Sequence, residues 1–237
     1  MPPDPRVLAF DTSAAHCAAA LLKGRRIIAS RYEDMTRGQA ERLFPLIEEM
    51  LGDEGAAWEE LDAIGVGIGP GNFTGVRIAV SAARGLSLSL GIPVIGVTGF
   101  EACMELAGWP SGRVGVCLPA PRTATYWHVF IEDKATDGPF ISDAAPPFGL
   151  TAPALDLVVG PAEDNFSHIA AISIGPTGKL SAPVDRPVEL RPRIAEAVAL
   201  RTAAQFLEGG EMARPAPLYI RSADAAPPRE APPVILP

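Results

Sequence analysis

The sequence lacks the local residue pairs that usually build metal sites and disulfide frameworks. Its histidines form neither an H-x-x-x-H nor an H-E-x-x-H pair, so spacing predicts no helix-borne zinc or iron site, and each is expected at the surface or half-buried. The cysteines are odd in number and contain no C-x-x-C spacing, so we interpret them as small core residues. The histidines are His16, His128 and His168, and the cysteines are Cys17, Cys103 and Cys117.

Long apolar runs and basic clusters are also missing. No run is long enough to span a membrane, and the first six residues lack both the basic start and the apolar core of a signal peptide, so we expect a cytoplasmic protein without membrane association. The formal net charge is −8, and no cluster of basic residues exceeds the pair Arg25 and Arg26. Phosphate contacts need a basic face, so autonomous nucleic-acid binding is disfavoured. No G-x-S-x-G elbow is present, and no catalytic centre or resident metal site is predicted.

The central feature that the sequence does contain is residues 67–91. An apolar run at residues 64–68 leads into the loop G-P-G-N-F-T-G, and a helix rich in small residues follows. Such a loop can cradle a phosphate at the helix N-terminus. Alternatively, Asn72 or Thr74 caps the helix and the glycines only permit a tight reversal. The spacing matches neither G-x-G-x-x-G nor G-x-x-x-x-G-K-[ST], which favours the capping interpretation.

A polar turn, D-T-S at residues 11–13, follows the first predicted strand, residues 7–10. A carboxylate and two hydroxyls at this point could hold a hydrated magnesium ion or a phosphate, although the same residue types are ordinary turn formers. The possible phosphate-facing or nucleotide-facing residues of the two loops are Asp11, Thr12, Ser13, Gly69, Gly71 and Thr74.

Two predicted helices offer candidate docking surfaces. The first covers residues 37–51, with a capping box from Thr36 to Gln39, a stop at Gly52 and a bend at Pro45. The second covers residues 74–90 and carries small residues at four-residue spacing, which pack closely either on the protein's own core or on a partner. We expect the two helices to present a docking face for a four-helix bundle. The candidate partner-interface residues are Leu43, Ile47, Met50, Ser81, Gly85 and Ser89.

The length of 237 residues allows one large domain or two small ones. The predicted order β-β-β-α-β-α-β describes an α/β lobe of the ribonuclease-H-like type. Residues 108–112, G-W-P-S-G, form the best boundary, so the first lobe covers residues 1–108 and a smaller, divergent second lobe covers residues 109–237. In the second lobe we predict strands over residues 114–118, 125–132 and 155–160, a helix over residues 192–207 and an extended proline-rich tail.

Several stretches make the chain resemble the bacterial TsaB (YeaZ) family. They are L-A-F-D-T-S at residues 8–13, R-x-x-x-E-R-L-x-P-L-I-E-E-M-L at residues 37–51, G-x-G-P-G-N-F-T-G-V-R-I at residues 67–78 and G-I-P-V-I-G-V at residues 91–97. The resemblance is dense over residues 7–108 and thin afterwards, where it depends on Tyr126, Trp127 and residues 217–221.

The resemblance implies a two-lobed member of the actin-like, sugar-kinase and Hsp70-like ATPase (ASKHA) superfamily without a catalytic site of its own. It implies a dimerising scaffold that acts with the paralogue TsaD and the ATPase TsaE to place threonylcarbamoyl on the adenosine next to the tRNA anticodon. ATP and metal are then expected on the partner subunits, and tRNA only through the complex. A homodimer is possible when the chain is alone.

Three departures from the family pattern stand out. Gln39 stands where many members have histidine, Asn72 replaces a usual serine, and residues 119–126 lose the acid and the glycine of D-A-R-x-G-E-V-Y. The competing function is an ATP-dependent small-molecule kinase of the same superfamily, which would use Asp11 for magnesium and the glycine loop for phosphate. A peptidase function fails for want of metal ligands.

Overall fold

The computed structural model describes residues 2, 4–120, 124–136, 138–142, 157–161, 168–174, 180–183, 188–189, 191–210 and 212–220. Its first sheet has the order β3-β2-β1-β4-β5, with the first three strands antiparallel and the last two parallel to β1. The strands are β1 (Arg6–Asp11), β2 (His16–Lys23), β3 (Arg26–Asp34), β4 (Ala63–Gly67) and β5 (Val94–Val97). Helices α1 (Gln39–Asp53), α2 (Phe73–Leu90) and α3 (Gly99–Leu106) follow β3, β4 and β5 respectively. The predicted ribonuclease-H-like lobe is thereby confirmed.

Both faces of this sheet are buried, because alternate side chains of a strand point to opposite sides. Leu8 and Phe10 of β1 pack in the core beneath α1 and α2. Val7 and Ala9 pack on the other side, in a core shared with α3 and the second sheet. The ends of β1 and β4 therefore lie between two helical layers, where the polar turn and the glycine loop meet.

The second sheet has the order β12-β11-β10-β6-β7-β8, with β9 paired to β7 and β13 paired to β11. Its strands are β6 (Arg113–Pro119), β7 (Thr125–Ile131), β8 (Lys134–Ala135), β9 (Phe140–Ser142), β10 (Leu157–Pro161), β11 (His168–Ile174), β12 (Leu180–Pro183) and β13 (Val188–Glu189). β6 runs antiparallel to β7 and parallel to β10, while β11 is antiparallel to β10. The two-sheet α/β fold agrees with the sequence prediction.

Helix α4 (Ile194–Glu208) corrects the predicted assignment of the whole C-terminal half to the second lobe. It packs against β1, β2, β4 and β5, so it covers the face of the first sheet opposite α1 and α2. The described tail also returns to the first lobe, where the Leu218 amide donates to the Ile68 carbonyl at 2.8 Å. Residues 221–237 lie outside the described residues.

The start of α1 differs from the predicted capping box. Gly38 precedes the helix in the left-handed region, with φ 89°, and no side chain caps it. The Gln39 side chain instead donates to the Met35 carbonyl at 3.1 Å. Gly52 does not stop the helix, which continues to Asp53, and Pro45 lies inside it on the exposed side. None of the helices in the described part of the chain combines the length and apolarity that a membrane crossing requires.

Candidate functional site

The polar turn after β1 and the glycine loop before α2 form one tightly packed joint. The backbone N–H of Asn72 donates to the Ser13 carbonyl at 2.6 Å, and the Thr12 hydroxyl donates to the Gly75 carbonyl at 2.7 Å. A Cβ added at Gly71 would lie 2.2 Å from the Ser13 carbonyl oxygen, and one at Gly75 would lie 1.9 Å from that of Thr12. These two glycines therefore permit close backbone approach.

The start of α2 is capped by the protein itself. The side-chain oxygen of Asn72 accepts from the amides of Thr74 at 2.9 Å and Gly75 at 3.2 Å. The capping interpretation of the sequence is thus confirmed, with Asn72 rather than Thr74 as the cap. Two amides that a phosphate at this helix N-terminus would need already have an acceptor.

Asp11 is the buried centre of the polar turn. Its Oδ1 accepts from the Ser13 amide at 2.8 Å and the Ser13 hydroxyl at 2.8 Å, and it lies 2.7 Å from Nε2 of His16. Burial would raise the pKa of Asp11, but the hydrogen bonds from His16 and Ser13 outweigh it and lower that pKa. The expectation that His16 is at the surface or half-buried is wrong, because its side chain is almost fully buried.

The two loops that carry the six possible phosphate-facing residues meet through Thr12, Ser13 and Gly71, and their contacts form a joint within the chain. The carboxylate of Asp11 is already hydrogen-bonded by three donors, and its Oδ2 lies 1.7 Å from where a Cβ of Gly67 would stand. A hydrated magnesium ion needs carboxylate oxygens that face open space for its remaining waters. The residues present therefore do not fit a magnesium-phosphate site at this joint.

The apolar residues assigned to the partner interface on α1 are core residues. Leu43, Ile47 and Met50 are buried beneath the helix, in the same cluster as Val76 and Val80 of α2. A helix on a sheet turns its most apolar stripe inward, and here that stripe includes these three residues. This corrects the prediction, since fully buried side chains cannot supply exposed docking area.

The small residues of α2 face the other way. Ser81, Gly85 and Ser89 are all exposed, and a Cβ built at Gly85 would meet no atom within 4 Å. Leu88 on the same side is 88% exposed. The alternative that the stripe packs on the protein's own core is therefore excluded. We call the exposed side of α2 formed by Ser81, Gly85, Leu88 and Ser89 the α2 outer face.

The second lobe shows no comparable cluster among its described residues. Tyr126 of the altered family motif is buried in β7, and residues 121–123 of that motif lie outside the described residues. His128 is half-buried, and burial lowers its pKa. Only the backbone of His168 is described. In the part of the chain that the structure describes, no group of three His, Cys, Asp or Glu side chains is placed to hold a metal ion.

The cysteines agree with their interpretation as core residues. Cys17 and Cys103 are buried and Cys117 is partly buried, and none forms a disulfide. Burial raises the pKa of Cys17 to about 12 and that of Cys117 to about 11.

The two sheets and the α2 outer face define a two-lobed α/β protein whose first lobe is ribonuclease-H-like. A family model described as "TsaD: tRNA N6-adenosine threonylcarbamoyltransferase" matches residues 29–147, half of the chain. YeaZ from Pseudomonas aeruginosa is 32% identical with a TM-score of 0.51, and the match covers 61% of this chain and 72% of that one. The chain belongs to the TsaB (YeaZ) family.

Further relatives extend the comparison. A crystal structure described as an uncharacterized protein with similarity to peptidase YEAZ from Pseudomonas aeruginosa is 28% identical, with a TM-score of 0.66, and covers 92% of this chain and all (100%) of that one. TsaB of Escherichia coli is 32% identical over 131 residues, 54% of this chain and 56% of the relative. An uncharacterized protein of Mycobacterium bovis is 34% identical over 141 residues, 59% of this chain and 65% of the relative. The chain therefore spans less than two thirds of these curated relatives.

Proposed function

We propose that this protein is a non-catalytic docking subunit of the complex that places threonylcarbamoyl on the adenosine next to the tRNA anticodon. The proposal has support from relatives named tRNA threonylcarbamoyladenosine biosynthesis protein and from the match to the TsaD family model. Its partners are a TsaD paralogue and a TsaE ATPase, which hold the ATP and the metal. The complex works in the cytoplasm.

The single observation that carries the proposal is the α2 outer face. Leaving a leucine in water forgoes about 1.5–3 kcal/mol of burial free energy, and Leu88 is 88% exposed. Beside it, Ser81 and Gly85 leave room for another helix backbone to approach closely. Two such lobes can pair their helices as a four-helix bundle, either as a homodimer or with a related two-lobed chain.

The charge of the protein favours indirect contact with tRNA. A net charge of −8 opposes the counterion-releasing phosphate contacts that nucleic-acid binding needs. In the proposed complex the partner subunit holds the tRNA. Submicromolar binding of tRNA by the isolated chain near physiological salt would contradict this part of the proposal.

The joint at Asp11 opposes the kinase alternative. A kinase of this superfamily would need that carboxylate for magnesium and the start of α2 for phosphate, and both are occupied by internal hydrogen bonds. We therefore do not propose it. ATP turnover of about 1 s⁻¹ by the highly purified chain alone would instead support the kinase function.

Reconstitution tests the proposed function. Threonylcarbamoyl transfer to tRNA is measured with the TsaD paralogue and TsaE of the same organism, with and without the full chain. We expect no transfer by the chain alone and a large rise in transfer when it joins the other two. The Gly85→Leu variant should fail to produce the rise, while Leu207→Ala, an exposed change on α4, should produce it fully. A paralogue equally active without the chain would contradict the proposal.

A further inference from the structure

The described tail, residues 212–220, lies along one edge of α2. The Pro215 carbonyl accepts hydrogen bonds from Nε of Arg84, at 2.8 Å, and from Nη2 of the same arginine. Pro215 is buried, and a Cβ added at Gly96 would come within 3.0 Å of its Cβ. With the backbone hydrogen bond from Leu218 to Ile68, these contacts hold the tail on the first lobe.

The tail ends in a cluster of two aromatic rings and an arginine. Nε of Arg77 donates to the Tyr219 hydroxyl at 2.7 Å. The Tyr219 ring stacks on Phe73 with a centroid distance of 5.1 Å, and the guanidinium carbon of Arg77 lies 3.7 Å from the centroid of the Phe73 ring. Phe73 is nevertheless 44% exposed and Tyr219 46% exposed. We call these three residues the aromatic-arginine cluster.

The cluster has the character of a protein-binding site. Aromatic and arginine side chains dominate the energetics of protein interfaces, and side chains already held in place lose less entropy on binding. Arg77 is held through Nε, and no carboxylate of the described residues lies within 4.0 Å of its guanidinium. Along α2, Arg77 comes one turn before Ser81, so the cluster is continuous with the α2 outer face.

We propose that the aromatic-arginine cluster recognises α1 of a second copy of this chain, with Glu48 as the carboxylate that meets Arg77. This inference depends on the proposed docking role of the α2 outer face. It assigns to the C-terminal tail, through Tyr219, a specificity-determining part of the interface.

The placement of the two helices supports this pairing. Their first turns line one cavity, so α1 and α2 begin side by side. Glu41 and Ile78 both line this cavity, and Glu48 follows Glu41 by as many residues as Gly85 follows Ile78. Each is therefore about 10 Å further along its helix, and the two lie at similar levels.

A two-fold axis beside Ser81 then brings opposite charges together. Antiparallel α2 helices paired about Ser81 place Arg77 of one copy opposite Gly85 of the other, near the exposed Glu48 on its α1. Phe44, four residues before Glu48 and 39% exposed, adds an apolar contact for the rings of the cluster.

Sedimentation of the full chain over a concentration series tests the inference. Tyr219→Ala should weaken self-association by about thirty-fold, the loss typical of removing a hot-spot residue. Leu207→Ala is the matched control, because Leu207 is 44% exposed on α4, which covers the opposite face of the sheet. It should change the dissociation constant by less than about two-fold.

Charge reversal tests the predicted pair directly. Arg77→Glu and Glu48→Arg should each weaken self-association, and the double variant should associate more tightly than either single variant, because it restores the opposite charges. Circular dichroism and thermal unfolding of every variant show whether the lobe is still folded. A double variant no better than its single parents overturns the assignment of Glu48.

The outcomes separate this inference from the proposed function. If Gly85→Leu abolishes association and Tyr219→Ala leaves it unchanged, the docking role of the α2 outer face is supported and the role of the aromatic-arginine cluster is overturned. If the wild-type chain stays monomeric up to about 100 μM, or Gly85→Leu associates normally, both the cluster and the homodimeric use of the face are overturned.

Discussion

Nε2 of His16 lies 2.7 Å from Oδ1 of Asp11, and the two side chains are only 5% and 4% exposed. The pair joins the end of β1 to the start of β2 directly beneath the loop that precedes α2. A residue that the sequence offers as a magnesium ligand therefore has a structural role. With the two hydrogen bonds from Ser13, the pair ties the polar turn together through the chain's own side chains and backbone.

The pair predicts a specific dependence of stability on pH. Because folding lowers the pKa of Asp11, its contribution is present above the unfolded value, about pH 4, and is lost as the pH falls through the folded value. Asp11→Asn should reduce the free energy of unfolding at pH 7 by about 2 kcal/mol and flatten its decline in acid. Urea unfolding at a series of values from about pH 3 to about pH 7 measures the loss of free energy at pH 7 and its decline in acid. The exposed Glu59→Gln is the control, and an equal acid slope in all three proteins would contradict the prediction.

The two glycines of α2 predict opposite results for the same substitution. At Gly75 an added Cβ would lie 1.9 Å from the Thr12 carbonyl oxygen, so Gly75→Ala should destabilise the protein by about 1–3 kcal/mol or more. At Gly85 it would meet nothing within 4 Å, so Gly85→Ala should stabilise the helix by up to about 1 kcal/mol. Thermal unfolding at a fixed low protein concentration compares them. A stable Gly75→Ala variant would show that the joint is looser than described.

The cap of α2 predicts a graded effect of substitutions at Asn72. Asn72→Ala removes the acceptor of the Thr74 and Gly75 amides and should cost about 1 kcal/mol. Asn72→Ser keeps an oxygen acceptor at the cap, so it should stay within a few tenths of a kcal/mol of the wild type. Denaturant unfolding of both variants tests this, and an Asn72→Ala variant as stable as the wild type would indicate that the cap does not stabilise the helix.

The α2 outer face predicts that Gly85→Leu blocks association without unfolding the monomer. The added side chain has open space in the single chain, but it would overlap a partner helix at the centre of a bundle. Circular dichroism should match the wild type, while size-exclusion chromatography should show a single monomeric peak. A folded variant that associates normally would refute the docking role, and an unfolded one would place the stripe in the core after all.

The sequence by itself determined the local features of this protein. The order of strands and helices in the first lobe, a polar cap of α2 at Asn72 or Thr74 and the small-residue stripe of α2 all follow from residues close together in the chain. These features depend on hydrophobic period and on short hydrogen bonds, which neighbouring residues decide almost alone.

Only the tertiary structure decided which side of each helix is free and which distant residues meet. The periodic apolar residues Leu43, Ile47 and Met50 could have packed against a partner as well as in the core. They pack against the sheet beneath α1, because it buries them within the same chain. The same holds for the contact of Thr12 with Gly75, 63 residues apart, and of Arg77 with Tyr219, 142 residues apart. Such pairs have no signature in local spacing, because they exist only after the chain has folded back on itself.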